Sequence, residues 1–487
     1  PTLRLMFDLR PVGYVTGLLV AFLGVAMLFP MCVDLYYDNG HAAVFFESAI
    51  LTASIGGLTA LACANGVTSR LTVQQIFLLT TGVWLMLPVF GAIPFVLGPP
   101  RATVTDAFFE AMSGLTTTGA TVLEGLEFLP RGVLVWRSML QWFGGVGIIV
   151  VAMVFLPELK VGGMQIFRSE AFDTDGKVLP RAAQIASRIS VVYILLTVAC
   201  YLAYFAVGMP SFHAFNHALT TVSTGGLSTY DASFGAFQGA PEYVASVFMA
   251  LAALPFVRYV QLLAGKTNPL WRDSQVRNFL LVILVTVFVI VLYQLLEDGI
   301  EFEPALRESL FNVTSILTGT GYSSVDYQLW GPFAVVVFFL LGLVGGCAGS
   351  TSCSIKVFRY QLLFASIRAQ IRRIHSPNGI FTPRYDGRPV TEDVLNSVMV
   401  FFVAFVVSLG VLSVALSATG LDMVTSVSGA AAALANIGPG LGAEIGPAGN
   451  FAGLNDTAKW LLSAGMLIGR LELMAVFVIL TANFWRV

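Results

Sequence analysis

Thr116-Thr117-Thr118-Gly119-Ala120-Thr121 decides how this chain is read, because a version of it returns three times. One run of threonines closed by glycine is an ordinary turn. Val222-Ser223-Thr224-Gly225-Gly226 comes next, then Thr318-Gly319-Thr320-Gly321-Tyr322, then Ala435-Asn436-Ile437-Gly438-Pro439-Gly440, at long and roughly even intervals. Four such segments indicate fourfold duplication of one unit. The alternative, four unrelated loops, does not account for flanking sequence that repeats as well. A glycine without Cβ turns its carbonyl in directions closed to other residues. Four such strands around one axis present rings of backbone carbonyls, the chemistry that replaces the hydration shell of a K⁺ ion.

Working outward, each segment follows directly on a short apolar stretch: 104–115, 212–222, 304–317 and 423–435. At 1.5 Å per residue these are too short to cross a bilayer. Spanning runs flank them, at 71–97 and 132–156, 185–207 and 243–263, 278–296 and 332–344, 395–416 and 459–485. The unit reads helix, half-length helix, glycine segment, helix. Its re-entrant part is tolerated only where protein or a water-filled cavity surrounds it. Two further apolar runs, 11–36 and 42–63, come first and lead into no such segment. The expected fold is an all-α membrane protein of four pseudo-symmetric helix–pore loop–helix repeats around a central pore, plus an extra N-terminal helix pair. The expected divisions are 1–69 for the pair, 70–180 for repeat one, 181–272 for repeat two, 273–388 for repeat three with an intramembrane gate loop, and 389–487 for repeat four. That gives ten spanning helices and four re-entrant ones.

Composition agrees. Hydrophobic residues make up 56% of the 487 and charged residues 11%, with mean hydropathy +0.81; soluble domains carry about a quarter charged residues. The five cysteines lie in or beside apolar runs without metal-ligand spacing, so neither a disulfide framework nor a zinc site is expected. The first apolar run is long enough to span and lacks a cleavage pattern, so it reads as a retained helix. Loops beside the glycine segments are mainly acidic: Glu124, Glu127, Asp231, Glu242, Glu301, Glu303, Asp422, Glu444. Connections between units are basic: Lys160, Arg168, Lys177, Arg181, then Arg258, Lys266, Arg272, then Lys356, Arg359, Arg368, Arg372, Arg373. The positive-inside rule makes those connections and the N-terminus cytoplasmic, with the glycine segments opening outward.

Aligned on glycine, the candidate filter positions are Thr117, Thr118 and Gly119; Ser223, Thr224 and Gly225; Gly319, Thr320 and Gly321; Asn436, Ile437 and Gly438. None is acidic, which suits carbonyl coordination of K⁺ rather than a carboxylate ring. Each half-helix points the negative end of its dipole at the pore centre. Two features lie deeper. Gly345-Gly346-Cys347-Ala348-Gly349-Ser350-Thr351-Ser352-Cys353-Ser354 interrupts the second helix of repeat three. It reads either as an irregular loop crossing the pore as a gate, or as a helix with a small-residue packing face built on Gly345 and Gly349. Arg470 stands in the last apolar run, where a charge is costly and faces an interior or a cavity. It reads as a fixed positive charge near the permeation path, or as a residue snorkelling or paired with Glu472; two residues apart on a helix, that pair does not face itself. Arg137 and Gln141 raise the same question, Arg137 as a brace of the first segment.

Gln141-Trp142-Phe143-Gly144-Gly145-Val146-Gly147, the Gly/Ser run before Ile355-Lys356-Val357, and Gly469-Arg470-Leu471-Glu472 resemble the Trk/Ktr/HKT cation transporter superfamily, and within it the TrkH branch. The resemblance covers essentially the whole chain, including the extra helix pair. It implies K⁺ translocation, a homodimer in the bacterial inner membrane, and a cytoplasmic TrkA-like nucleotide-binding (NAD/ATP) regulatory partner. Relatives favouring Na⁺ carry serine at the first filter glycine; here it is Gly119. Cys353-Ser354 departs from the glycines that often stand there. The expected partners are thus K⁺ as cargo, membrane lipid, a second copy and the cytoplasmic subunit, with no bound nucleotide in this chain and no nucleic acid. No strand–glycine loop–helix unit is present to bind nucleotide.

A K⁺ symporter coupled to H⁺ or Na⁺ is the competing reading. Such transporters show inverted repeats and midplane acids, which this sequence lacks. No helix carries Arg or Lys at every third position, as a voltage sensor does. His41, His213, His217 and His375 form no constellation with acids, and no enzyme is expected.

Overall fold

The computed structural model describes residues 8–66, 71–159, 162–167, 178–265 and 268–486. Arg4, Arg70, Lys160, Arg168, Lys177 and Lys266 lie outside the described residues, as does the side chain of Arg181. The chain is helical, its one sheet among the described residues being a two-stranded hairpin in which Arg384 pairs with Pro389 and Tyr385 with Arg388. Polarity is inverted relative to a soluble protein. Phe22, Leu61, Phe288, Val403 and Val414 are exposed, while Thr117, Thr118, Thr221, Ser223 and Thr320 are fully buried. Apolar side chains need no cover when the surroundings are lipid, and polar groups there must find partners inside.

The N-terminal pair, Arg10–Ala26 continuing as Leu28–Tyr36 and Ala42–Cys63, packs backbone to backbone. A side chain at Gly24 would collide with the Ala53 amide, and one at Gly56 with the Ala21 amide. Small residues bring membrane helices this close. Asp34 then ties the pair to the next unit, accepting the Gly132 N–H at 2.7 Å.

From Val73 on, a long helix, a short helix and a polar loop recur. The short helices are Val104–Leu115, Ser211–Val222, Phe302–Thr318 and Met423–Ala435. Their starts are set by capping side chains in two cases. Thr103 Oγ1 accepts the Asp106 N–H, and the Asp422 carboxylate accepts the Val424 and Thr425 N–H groups. Their cores are buried on nearly every side, which lets a helix too short to span sit inside the protein.

Among the described residues, seven helices are long and apolar enough to cross a membrane: Arg10–Tyr36, Ala42–Gly66, Val73–Leu97, Arg131–Phe155, Ala186–Ala206, Ser274–Glu297 and Glu392–Ser417. Two runs read as continuous spans, 243–263 and 459–485, are broken instead, and 332–344 ends where the glycine-rich run was expected to interrupt it. Residues 243–263 form Ala240–Ala252 and Phe256–Leu263, bent by 89°. Residues 332–344 stop at Gly342, and 459–485 stop at Arg470 before resuming as Met474–Ile479. Pro255 removes the N–H that would continue the first of these helices. Glu472 and Leu473, at φ 61° and 52°, turn the last one out of the right-handed region.

Candidate functional site

The four glycine loops meet. In each, two residues separated by one take positive φ: Thr117 and Gly119 (52°, 86°), Thr224 and Gly226 (49°, 79°), Gly319 and Gly321 (75°, 82°), Asn436 and Gly438 (51°, 102°). The residue between them donates its N–H five residues back into the short helix: Thr118 to Ser113, Gly225 to Thr220, Thr320 to Ser315, Ile437 to Ala432, at 2.8–3.0 Å. The second loop is therefore one residue out of the register expected from sequence. Gly226, not Gly225, is the counterpart of Gly119, and Thr224 matches Thr117; Ser223 sits at the helix end beside Thr116. Two adjacent glycines gave the sequence two equally good alignments, and the helix-end hydrogen bond selects one.

With that register the loops close a ring. A side chain at Gly119 would strike the Gly225 carbonyl, one at Gly226 the Thr320 carbonyl, and one at Gly321 the Ile437 carbonyl; one at Gly438 would come within 2.8 Å of the Thr118 carbonyl. Each glycine thus faces the carbonyl of the next loop, through all four and back. Gly119, Gly226, Gly321 and Gly438 together floor a cavity of about 380 Å³ whose walls carry Glu124 and Asp231. Carboxylates around a concave mouth raise the local cation concentration.

Buried side chains hold the loops from behind. Arg137 donates to Glu110 at 2.7 Å, to the Ser228 carbonyl at 2.8 Å and to Thr121 Oγ1 at 3.0 Å, linking the first loop to the second. Gln141 Nε2 donates to the Gly225 carbonyl at 2.5 Å while its Oε1 accepts the Leu227 N–H. Tyr322, immediately after the third loop, places its hydroxyl 2.5 Å from Thr220 Oγ1 of the second short helix. Asn436 Nδ2 bonds Thr118 Oγ1 and the Met466 carbonyl, both at 2.9 Å. Glu110 carried no sequence signal for this role beyond being a polar residue in an apolar short helix, and Tyr322 none beyond following Gly321 in the third segment.

Beneath the ring, Gly345–Ser354 is an irregular loop and not a packing helix; Gly345 and Gly349 have φ of 80° and 71°. Its backbone is satisfied by the broken helix of residues 240–263. Cys347 N–H donates to Ala253 O at 3.1 Å, Thr351 Oγ1 to Ala252 O at 3.0 Å, and the Gly349 carbonyl accepts Phe256 N–H at 2.9 Å. The loop lies directly under the ring. Ser352 Oγ donates to Thr318 O at 2.6 Å, and Cys353 Sγ is 3.8 Å from Thr117 Oγ1. Gly345, Gly346, Gly349, Ser350, Thr351 and Ser352 all belong to this loop.

Arg470 reaches it from the last helix. Its Nη1 contacts Cys353 Sγ and donates to Thr351 O at 3.3 Å, and its Nε and Nη2 have no partner among the described residues. Glu472 is not its partner. Glu472 bonds Lys356 at 2.9 Å and pairs with Arg359, whose Nε also donates to Gly162 O. Lys356 and Arg359 were expected in a cytoplasmic basic connection and are buried instead. Their surroundings in sequence, Ile355, Val357 and Phe358, were the available signal.

The chain is similar to known proteins along nearly its whole length. A family model described as TrkH, cation transport protein, matches residues 41–486. The chain is 42% identical over 482 residues to the Trk system potassium uptake protein TrkI of Halomonas elongata, covering 98% of this chain and 97% of that protein. It is 36% identical over 487 residues to the Trk system potassium uptake protein TrkH of Escherichia coli K12, covering 98% and 99%. The crystal structure of the potassium transporter TrkH from Vibrio parahaemolyticus superposes with a TM-score of 0.90 at 33% identity, covering 99% of this chain and all of that one.

Proposed function

Since this chain belongs to the TrkH family of cation transport proteins, we propose that it is a K⁺ uptake protein whose path runs through the four-loop ring. The observation that carries the reading is the closed ring itself, glycine against carbonyl through four loops, under an acid-walled cavity. On this reading the filter is Thr117–Gly119, Thr224–Gly226, Gly319–Gly321 and Asn436–Gly438. The plug at Gly345–Ser354 with Arg470 is the gate. The division into a helix pair (1–69) and four repeats (70–180, 181–272, 273–388, 389–487) belongs to the same proposal. So do ten membrane passes in a bacterial inner membrane with a cytoplasmic N-terminus, a homodimer, and a TrkA-like nucleotide-binding cytoplasmic subunit; the relatives are named as parts of a Trk system.

Downhill permeation is favoured over H⁺- or Na⁺-coupled symport. The buried carboxylates of Glu110 and Glu472 are each engaged in an ion pair with a guanidinium, of Arg137 and Arg359 respectively, and belong to the scaffold of the path on this reading. Purified protein in liposomes with an outward-to-inward K⁺ gradient, and no H⁺ or Na⁺ gradient, should pass K⁺. Flux that appears only when a second ion gradient is imposed would establish symport instead.

A further inference from the structure

The helix leaving the plug, Val357–His375, carries an unexplained surface. Phe364, Ile367, Ile371 and Ile374 form one exposed stripe at helical spacing. Beside it Arg368 and Arg372, with Arg384 of the hairpin, line a cavity of about 440 Å³ walled by Phe381 and Thr382. Arg373 fixes that wall, its Nη2 donating to Phe381 O at 3.4 Å. Among the described residues none of the three cavity arginines is paired with a carboxylate. Three guanidiniums converging without a counter-ion call for an anion.

Depth identifies the source. On the proposed reading the helix starts at the plug near mid-membrane, and along the membrane normal a hydrocarbon half-thickness of roughly 15 Å takes about ten residues of helix. Phe364 therefore lies in the acyl region and Arg368 at the headgroup boundary. A soluble partner cannot reach Phe364, whereas one lipid satisfies both surfaces, its chain on the apolar stripe and its phosphate among the arginines. Basic clusters of this kind at a membrane boundary select anionic lipid. We propose that Arg368, Arg372 and Arg384 form a binding site for the headgroup of an anionic phospholipid, at the far end of the helix that carries the plug.

The full chain in neutral detergent micelles, titrated with fluorescently labelled phosphatidylglycerol and phosphatidylcholine, tests this. The parent should prefer phosphatidylglycerol, and Arg368→Gln, Arg372→Gln and Arg384→Gln should each weaken that preference by about fivefold. The triple Lys variant should keep much of it. All three arginines are exposed, so folding should survive; if the triple Gln variant aggregates, Arg384→Gln alone decides. A Gln variant that binds phosphatidylglycerol as the parent does overturns the proposal. Displacement of the labelled lipid by millimolar inorganic phosphate also overturns it, since the site would then be one for free phosphate.

Discussion

Gly225 and Gly226 are chemically identical neighbours with different work. Gly226 closes the ring against the Thr320 carbonyl, whereas a side chain at Gly225 would meet Gln141, the far end of a bracing side chain. Gly226→Ser should therefore act like Gly119→Ser, pushing a ring carbonyl aside and lowering K⁺ preference over Na⁺ by about tenfold, the effect of ~1.4 kcal/mol of lost discrimination. Gly225→Ser should displace Gln141 and cost stability, with a smaller loss of preference. Relative permeabilities in reconstituted flux decide it. Equal losses at both positions, or a larger loss at Gly225, would refute the register. Arg137 shows the same division of labour. It touches no ring carbonyl of the four central residues, yet it ties Glu110, Thr121 and Ser228 together in a buried network. Removing one partner of such a pair typically costs 3–5 kcal/mol, because the other charge stays buried.

At the scale of elements, the loop proposed as the plug is held by the bend at Ala252–Phe256, by Gln275 through the Ala348 N–H, by the third short helix through Thr318, and by Arg470. On the proposed reading Arg470 contributes to the barrier in two ways that act together. Its charge cannot be shed by deprotonation and repels a cation through a medium of low dielectric. Its Nη1 also grips Thr351 and Cys353. Arg470→Ala removes both and should raise K⁺ flux about tenfold without a partner, taking each charged hydrogen bond as worth 1.5–3 kcal/mol before water replaces it. Arg470→Lys keeps the charge and loses the fork, so its flux should fall between parent and Ala. Deleting Gly349–Ser352 removes the plug itself and should match or exceed Ala. A well-folded Ala variant, by size-exclusion chromatography, with flux no greater than the parent's would eliminate Arg470 as part of the barrier. Glu472 supports the neighbouring break by holding Lys356 and Arg359, so the residues after the loop are tied to the turn at 470–473.

For the whole molecule, the sequence disclosed what depends on length and polarity. Four polar loops behind four short helices, and spanning runs on either side, follow from where apolar stretches start and stop. Residues 104–115 and 423–435 were legible to the residue, because Thr103 and Asp422 cap their starts and polar residues, Thr116 and Asn436, end them. The bends at 252–256 and 470–473 were not legible, since apolar length is the same in a straight helix and a broken one, and Leu254-Pro255 was the local mark of the first. Arg359 misled because charge usually signals an aqueous boundary, and only tertiary contact reveals the Glu472 carboxylate that neutralises it. The N-terminal pair poses the remaining question at this scale, whether it shapes the path or only buttresses it. Its helices meet each other through Gly17, Gly24 and Gly56, and it reaches the first unit through Asp34 and the Arg131 guanidinium lying 3.8 Å over the Tyr37 ring. Among the described residues, none of the bonds named above as holding the ring comes from this pair. Gly24→Leu must force two backbones apart, an overpacking cost of about 1–3 kcal/mol. The melting temperature in detergent should fall, while the K⁺ to Na⁺ ratio of the protein that remains folded should equal the parent's. A changed ratio with an unchanged melting temperature would mean that the pair sets the geometry of the ring, and would remove it from the class of supports.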